Sequence, residues 1–293
     1  MSVTTHERPG VYSEYDASSV VQGRQGRKMV GMAAIHATAP AGVPQTVTSY
    51  ESALIAFGST GGQDMTELIR LALKNGAAGV VAVPVADEEG YEAAFAALAA
   101  MDDIGVVICD SVDREVQQSL RDSAAAASAA RRERIAVAAG GAGETVTELL
   151  ERAKALNSER VVLVAPGGTD EEGEAVSGLS LAAAVAGAIA GTTDPALPLG
   201  GAVLSGLYGL ETTYGDNDLD LLIRGGVTPV EEVGGICSVV RGVTTRTTTG
   251  EAPDNTWREL TTIRIVDDVI PAVRNALRAK FRRAKNTEQS RGA

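Results

Sequence analysis

Apolar runs and amphipathic segments alternate along the middle of the chain. The runs are short and rich in Val, Ile and Ala, as buried strands are, and they cover residues 29–35, 79–85, 104–109, 134–139 and 160–165. The segments between them repeat apolar residues at the helical period, and they cover residues 50–57, 65–75, 91–101, 115–131 and 145–156. Because strands that alternate with helices need crossover connections, this pattern predicts an α/β fold with a largely parallel sheet and flanking helices.

A second zone of helices and strands follows residue 166. An acidic, Gly-rich loop leads to a helix of small residues at 179–189, and a shorter helix is predicted at 217–223. A strand at 227–233 then leads into the C-terminal region.

The C-terminal region is predicted to be a smaller α+β unit in which a hairpin feeds a helix. Its two strands, 236–245 and 256–266, are rich in Val, Ile and Thr, and the link between them holds Gly, Pro, Asp and Asn. Asp267 is expected to cap the helix, with Pro271 in the first turn, where its missing N–H does no harm.

The predicted C-terminal helix carries two stripes. The apolar stripe consists of Ile270, Val273, Leu277, Phe281 and Ala284. The basic stripe consists of Arg274, Arg278, Arg282 and Lys285. One face is therefore expected to dock and the other to offer positive charge.

These patterns divide the chain into three parts. Residues 1–28 are polar, follow no clear period and predict an extended N-terminal arm. Residues 29–234 form the predicted α/β core, and residues 235–293 form the C-terminal region with the hairpin and the basic helix.

Composition is typical of a soluble, folded protein. With 44% apolar residues in 293, the chain can bury one sizeable core or two smaller ones. Its longest uncharged apolar run, at 179–191, is short for a membrane span, and the first residues lack the pattern of a signal peptide. We therefore expect no stable membrane insertion. Cys109 and Cys237 are far apart and predict neither a disulfide framework nor a zinc site.

Charge is distributed unevenly. The chain carries a net charge of −12, which disfavours a general nucleic-acid partner. Residues 274–293 nevertheless hold seven bases and one acid, a net charge of +6, which leaves −18 for the remainder. Such asymmetry suits a protein that meets acidic partners, or copies of itself, through its tail.

Candidate chemistry is sparse. His6 and His36 are the only histidines, and neither has a second ligand at metal spacing, so no catalytic, metal or cofactor site is predicted. The turn from Gly140 to Thr145 (GGAGET) follows a strand and opens a helix, so its N–H groups could hold a phosphate. It lacks the Lys of a P-loop and the spacing of a dinucleotide fingerprint, which favours a plain tight turn.

Seven segments, in order along nearly the whole chain, resemble the sheath proteins of contractile phage tails and related tail-like particles. They are ERPGVYSEY (7–15), VTSYESALIAFG (47–58), LALKNGAAGVVAVPV (71–85), LNSERVVLVAPG (156–167), AAAVAGAIAGT (182–192), and GVTTRTT with TWRELTTIRIVDDV (242–248, 256–269). Each segment alone is weak, whereas their joint order and spacing are specific. The family pattern continues beyond a helix of this kind into further strands and a C-terminal arm, and this sequence ends at SRGA.

The resemblance implies a subtilisin-like sheath core and a structural, non-enzymatic function. Sheath subunits polymerise around a rigid tube and contract to drive it through a target envelope. The implied partners are other sheath subunits, joined by strand addition, together with the tail tube, baseplate and tail terminator proteins. The implied location is the tail of a virion or of a tail-like particle, after assembly in the host cytoplasm.

The resemblance also assigns two sets of interface residues. The donor arm would use Arg8, Pro9, Gly10, Val11, Tyr12 and Tyr15. The basic stripe Arg274, Arg278, Arg282 and Lys285 would face the tube. An α/β enzyme or binding protein that holds a phosphate at the Gly140 to Thr145 turn stays open as the alternative.

Overall fold

The computed structural model describes residues 28–281, and all structural statements below concern that range. The strands are β1 (Met29–Ile35), β2 (Gln45–Val47), β3 (Val80–Val85), β4 (Ile104–Cys109), β5 (Ile135–Ala139), β6 (Val161–Ala165), β7 (Gly168–Thr169), β8 (Ala175–Val176), β9 (Val203–Leu204), β10 (Gly209–Leu210), β11 (Val227–Val233), β12 (Ile236–Val239), β13 (Thr248–Thr249) and β14 (Ala252–Pro253). The helices are α1 (Tyr50–Phe57), α2 (Met65–Lys74), α3 (Tyr91–Ala99), α4 (Arg114–Ala129), α5 (Val146–Leu156), α6 (Leu179–Gly191), α7 (Asp216–Arg224) and α8 (Leu260–Phe281).

One large sheet organises the molecule. It has nine strands in the order β2-β3-β1-β4-β5-β6-β11-β12-β9. The six strands from β3 to β11 in that order pair in parallel, while β2, β12 and β9 are antiparallel additions at the two ends. The predicted α/β class with a largely parallel sheet is confirmed.

Helices cover both faces of the sheet. Helices α1, α2 and α6 pack on one face, and α3, α4, α5 and α7 pack on the other. The strands are buried on both faces, which explains why they are continuous apolar runs rather than alternating ones. The result is a three-layer core.

Helix α6 approaches α2 more closely than ordinary side chains allow. A Cβ at Gly187 would lie 2.3 Å from the carbonyl oxygen of Ala72, and one at Gly191 would lie 2.7 Å from that of Gly76. Because small residues line this contact, the two backbones touch, and α6 is buried along most of its length.

The predicted hairpin from 236–245 and 256–266 forms only in part. Val243 and Glu259 make an isolated antiparallel bridge, and the short strands β13 and β14 pair within the link between the two segments. Strand β12 is shorter than expected and pairs with β11 through the turn at Gly234 and Gly235, each with a positive φ. Within 256–266 the structure has a helix from Leu260 onward. The sequence pattern of residues 256–266 is compatible with both the strand period and the helix period. Burial of Leu260 and Ile263, which are three residues apart, favours the helix.

The expected start of the C-terminal helix is wrong. Asp267 lies one-third of the way along α8 and is buried, so it does not cap the helix. Pro271 lies inside the helix rather than in its first turn. Since proline has no N–H, the carbonyl of Asp267 loses its usual partner four residues ahead.

The chain between the sheet and α8, residues 242–247, is held by buried threonines. The Thr228 hydroxyl on β11 donates to the Val243 carbonyl at 2.9 Å and accepts from its N–H at 3.0 Å. The Thr245 hydroxyl donates to the Ser158 carbonyl at 3.1 Å and accepts from the Ser158 N–H at 3.0 Å. The Thr245 N–H donates to the Val161 carbonyl at 2.9 Å. This segment, which we call the threonine staple, fixes the root of α8 to the sheet.

Candidate assembly surfaces

Most of the predicted interface residues lie outside the described range. The arm residues Arg8, Pro9, Gly10, Val11, Tyr12 and Tyr15 precede it, and Arg282 and Lys285 follow it. Arg274 and Arg278 are the two members that the structure places, and both are on α8.

The two placed arginines differ in environment. The Arg274 guanidinium lies 3.6 Å from the Glu133 carboxylate just before β5, and both side chains are partly buried. Arg278, one turn further on, is exposed. Spacings of seven and four residues put Leu260, Asp267, Arg274 and Arg278 on one side of the helix, so the basic stripe continues the side that faces the core.

The apolar side of α8 is open. The prediction that this stripe docks is not met among the described residues, because Ile270, Val273 and Leu277 are 47%, 51% and 51% exposed. Ile265 and Val269 extend the same surface and are 39% and 49% exposed. We call these five residues the outer face of α8.

A buried ionic cluster holds the root of α8. Asp267 pairs with Arg160 at the start of β6, and both side chains are largely removed from solvent. The Asp267 Oδ1 atom is buried and has no hydrogen-bond partner among the described residues. Burial raises the pKa of Asp267, although the bond from Arg160 opposes this effect.

Two further cations complete the cluster. Lys28 and Arg264 line a cavity of about 40 Å³ together with Asp267, and burial lowers the pKa of both cations. The Arg264 Nη2 donates to the Thr192 carbonyl at 3.0 Å, at the end of α6. The cavity has room for water between groups of opposite charge.

The same cluster marks where the two ends of the described chain leave the core. The Lys28 N–H bonds to the Ala190 carbonyl at 2.9 Å, and β1 begins at the next residue. Because the cavity also touches Gly105, Val106 and Ile135, it lies at the edge where the parallel strands begin. The first described residue, Lys28, and the first turns of helix α8 therefore lie at one edge of the sheet.

The turn from Gly140 to Thr145 has its amides occupied by carboxylates. The Gly141 N–H donates to Glu144 at 3.1 Å, and the Gly143 N–H donates to Glu211 at 2.9 Å. An open cavity of about 430 Å³ beside the turn is lined by Glu144, Glu211 and Asp218. Carboxylates would repel a phosphate there, so the geometry gives the alternative function no support.

At the opposite edge of the sheet, polar side chains are held by hydrogen bonds within the protein. His36 uses both ring nitrogens, since Nε2 lies 2.8 Å from the Phe57 carbonyl and Nδ1 lies 3.0 Å from the Ala39 N–H. The Asp110 carboxylate accepts from the Tyr91 hydroxyl and, at 2.8 Å, from the Ile35 N–H. These bonds fix the ends of β1 and β4 and leave neither group free to act as a base.

The described range holds neither a metal-binding cluster nor a membrane-spanning helix. Residues 28–281 contain no group of three His, Cys, Asp or Glu side chains that could bind a metal ion. No helix in that range is long and apolar enough to cross a bilayer.

Sequence reasoning missed the partners of the C-terminal helix. Neither Glu133 nor the Arg160–Asp267 pair was predicted, and Lys28 was treated only as the end of an arm. One signal was available. Leu260, Asp267 and Arg274 recur every seven residues, which is the spacing of a helix side that faces the protein.

Comparison with known sequences places the core in one family. The sequence model described as the phage tail sheath protein central domain matches residues 85–245, more than half of the chain. No curated protein gives a significant match.

Solved structures with the same fold are sheath proteins. The sheath tail protein from Desulfitobacterium hafniense superposes with a TM-score of 0.72 at 14% identity, covering 97% of this chain and 86% of that one. The helical sheath of the anti-feeding prophage in its contracted state superposes with a TM-score of 0.68 at 19% identity, covering 98% of this chain and 80% of that one. The contracted sheath complex of PVC, an extracellular contractile injection system, superposes with a TM-score of 0.66 at 14% identity, covering 98% of this chain and 78% of that one.

Proposed function

The chain belongs to the phage tail sheath protein family, and on that premise we propose that it polymerises around a rigid tube and contracts to drive that tube through a target envelope. The observation that carries this proposal is the family match across the central domain, residues 85–245. The sheath lies in the tail of a phage or of a tail-like particle, and we infer that assembly takes place in the host cytoplasm.

We infer that this function needs neither catalysis nor a cofactor. The partly buried carboxylate of Asp110 and the ring of His36 are committed to structural hydrogen bonds. The three-layer core behaves as one rigid body that can rotate without rearranging inside. On this proposal, the energy for contraction is stored in less favourable packing between subunits in the extended state.

The proposed links between subunits are the chain ends. The arm residues Arg8, Pro9, Gly10, Val11, Tyr12 and Tyr15 would add a strand to a neighbouring copy, and main-chain hydrogen bonds would keep copies joined while their cores rotate. Such bonds contribute about 0.5–1.5 kcal/mol each, so several per strand decide whether rings join. Support for this role comes from the cluster around Lys28, which anchors the start of the arm firmly to the core.

The proposed tube contact is the free end of the basic stripe. Arg278 is exposed, and Arg282 and Lys285 follow it in the sequence at helical spacing, so we assign these three to the contact with an acidic surface. Arg274 contributes less because Glu133 already pairs with it. Exposed ion pairs are worth about 0.2–1 kcal/mol each and weaken in salt, so the contact needs several of them. Baseplate and tail terminator proteins are the further partners that we propose.

Charge reversal at the basic stripe tests the tube contact. We expect Arg278→Glu with Arg282→Glu to abolish cosedimentation with assembled tubes at low salt and to leave the subunit folded. The matched control is Arg224→Glu, which reverses an exposed arginine on α7 that is 71% exposed at its side chain. Normal attachment of the double variant in electron micrographs would refute the tube assignment, while absence of any sheath from the unaltered chain with its tube would refute the function.

A further inference from the structure

One oxygen of the buried Asp267 carboxylate has no donor within the described part of the protein. Arg160 donates to Oδ2, and this is the only direct ion pair that Asp267 makes among residues 28–281. The Oδ1 atom is buried and accepts no hydrogen bond from a protein group in that range. Because a buried polar atom that loses its hydration without gaining a partner is unfavourable, such atoms are rare in folded proteins. A donor for Oδ1 is therefore expected.

The cavity beside Asp267 has the size and the polar lining that a water site needs. Its volume is about 40 Å³, and a water needs at least about 10–15 Å³, so there is room for about one to three. Among the described residues that line it, Asp267 is the one carboxylate, and Lys28 and Arg264 are the two cations. The Thr192 hydroxyl also lines the cavity, and it donates to the Ala188 carbonyl at 2.7 Å, so its oxygen can still accept.

Water suits this lining better than an ion does. An ionised carboxylate oxygen can only accept hydrogen bonds, so its ligand must be a hydrogen-bond donor or a cation. A chloride ion donates nothing and would be repelled by Asp267, whereas a metal cation would face the positive charges of Lys28 and Arg264. A water molecule can donate to the carboxylate and accept from the ammonium group at the same time, which neither kind of ion can do.

Gly105 in β4 gives the Lys28 side chain its route to the cavity. A Cβ at Gly105 would lie 2.2 Å from Lys28 Cδ and 2.8 Å from Lys28 Cβ, so any larger residue would displace the lysine. Glycine weakens a strand interior and often marks a place where another group approaches the backbone closely. The Lys28 backbone is held separately, since its N–H donates to the Ala190 carbonyl at 2.9 Å and its carbonyl accepts from the Ala78 N–H at 3.2 Å. The side chain can therefore be altered without releasing the backbone that enters β1.

We propose that the cavity is a structural water site, in which bound water accepts a hydrogen bond from the Lys28 ammonium group and donates one to Asp267 Oδ1. The bridge ties the residue that enters β1 to α8, although no direct ion pair joins Lys28 to Asp267 within the described range. Arg264 adds a second tie by donating to the Thr192 carbonyl at 3.0 Å. The root of α8 is thereby fixed to β1, α6 and β6 together. The site belongs to the isolated subunit, so it does not depend on the proposed function.

High-resolution crystal structures of the unaltered 293-residue chain and of Lys28→Met test the site directly. In the unaltered chain we expect a water within hydrogen-bond distance of both Lys28 Nζ and Asp267 Oδ1. In Lys28→Met the apolar side chain should remove the bridging water. A dry cavity in the unaltered chain, a halide revealed there by anomalous scattering after a bromide soak, or a protein donor at Asp267 Oδ1 would each overturn the proposal.

Hydrogen exchange measures the tie between Lys28 and α8 in solution. We expect the α8 amides that follow Asp267 to exchange about tenfold faster or more in Lys28→Met, because a hydrogen bond to a buried charged group is lost. Gly105→Ala keeps the lysine but displaces its side chain, so it should have the same effect. The matched control is Lys154→Met, which replaces an exposed lysine on α5 and should leave these rates unchanged. Equal rates in all four proteins would show that no bridge holds the helix and would overturn the proposed tie.

Discussion

Helices α6 and α8 meet at one edge of the sheet and are built for different purposes. In α6, nine of thirteen residues are buried, and its glycines let it touch the backbone of α2. In α8, Leu260, Ile263 and Asp267 are less than one-tenth exposed, and all three lie within the first eight residues of the helix. Helix α6 completes the core. Helix α8 is anchored to the core at its N-terminal end and leaves most of its remaining described length exposed to solvent.

The difference shows how one edge of a fold can combine rigidity with an open surface. Arg264 of α8 donates to the Thr192 carbonyl at the end of α6, so the anchored root of one helix rests on the buried end of the other. Mutations at the root should therefore change folding stability. Mutations along the exposed length should change assembly and leave folding stability nearly unaltered.

The largest effect is expected at the ionic anchor. Arg160→Met removes the hydrogen-bonded partner of a buried carboxylate, and we expect a loss of up to about 3–5 kcal/mol in the free energy of unfolding, because only the cations Lys28 and Arg264 across the cavity then remain to offset the charge of Asp267. Urea denaturation followed by circular dichroism measures this loss. If α8 detaches without the core unfolding, hydrogen exchange will show fast amides in α8 alone.

The double variant Arg160→Met with Asp267→Leu is the control for that experiment. Replacing both charges with apolar groups should restore most of the stability, since a buried pair contributes little net free energy. A double variant as unstable as the single one would show that packing around Arg160, rather than its charge, holds the helix.

A smaller effect is expected where α6 touches α2. Gly187→Ala would place a methyl group 2.3 Å from the Ala72 carbonyl oxygen, and we expect a loss of about 1–3 kcal/mol because the helices must separate. Gly141→Ala is the control, since its Cβ would meet its nearest neighbour at 3.4 Å. Thermal unfolding of both variants is the measurement. Unchanged stability of Gly187→Ala would mean that the contact between α2 and α6 adjusts freely.

The smallest effect concerns acid. Hydrogen bonds from Thr249 and Thr256 lower the pKa of Asp254 from 3.8 to about 2, so Asp254 stabilises the fold above pH 4 and this contribution is lost as the pH falls toward 2. The difference in melting temperature between the unaltered chain and Asp254→Asn should be constant above pH 5 and shrink below pH 4. Glu251→Gln in the same turn is the control. A difference that does not change with pH would contradict the assignment.

The sequence predicted the core well because one signal dominates there. Strands β3 to β6 are uninterrupted apolar runs, and their observed ends lie within one residue of those predicted. The C-terminal region was less predictable, because the alternating residues 256–266 also place Leu260 and Ile263 at helical spacing. Only contact with the sheet decides between these periods.

The positions of the proposed interface residues were predictable only in part. Helical spacing located Arg274 and Arg278 on one stripe, as the structure has them. It could not reveal that Glu133 pairs with Arg274, because the two residues are far apart in the sequence and meet only after folding. The cluster of Lys28, Arg160 and Asp267 draws on three separate parts of the chain for the same reason.

The threonine staple has a mechanical consequence. Force that enters a subunit through α8 reaches the sheet along residues 242–247 as well as through the direct contact of Asp267 with Arg160. Hydroxyl and amide bonds tie these residues to β11 through Thr228 and to the start of β6 through Ser158 and Val161. Tension is therefore divided between two neighbouring strands that are themselves paired in parallel, so no single strand has to bear the whole load. The staple therefore shares load between two strands, which suits the contraction that we propose for this protein.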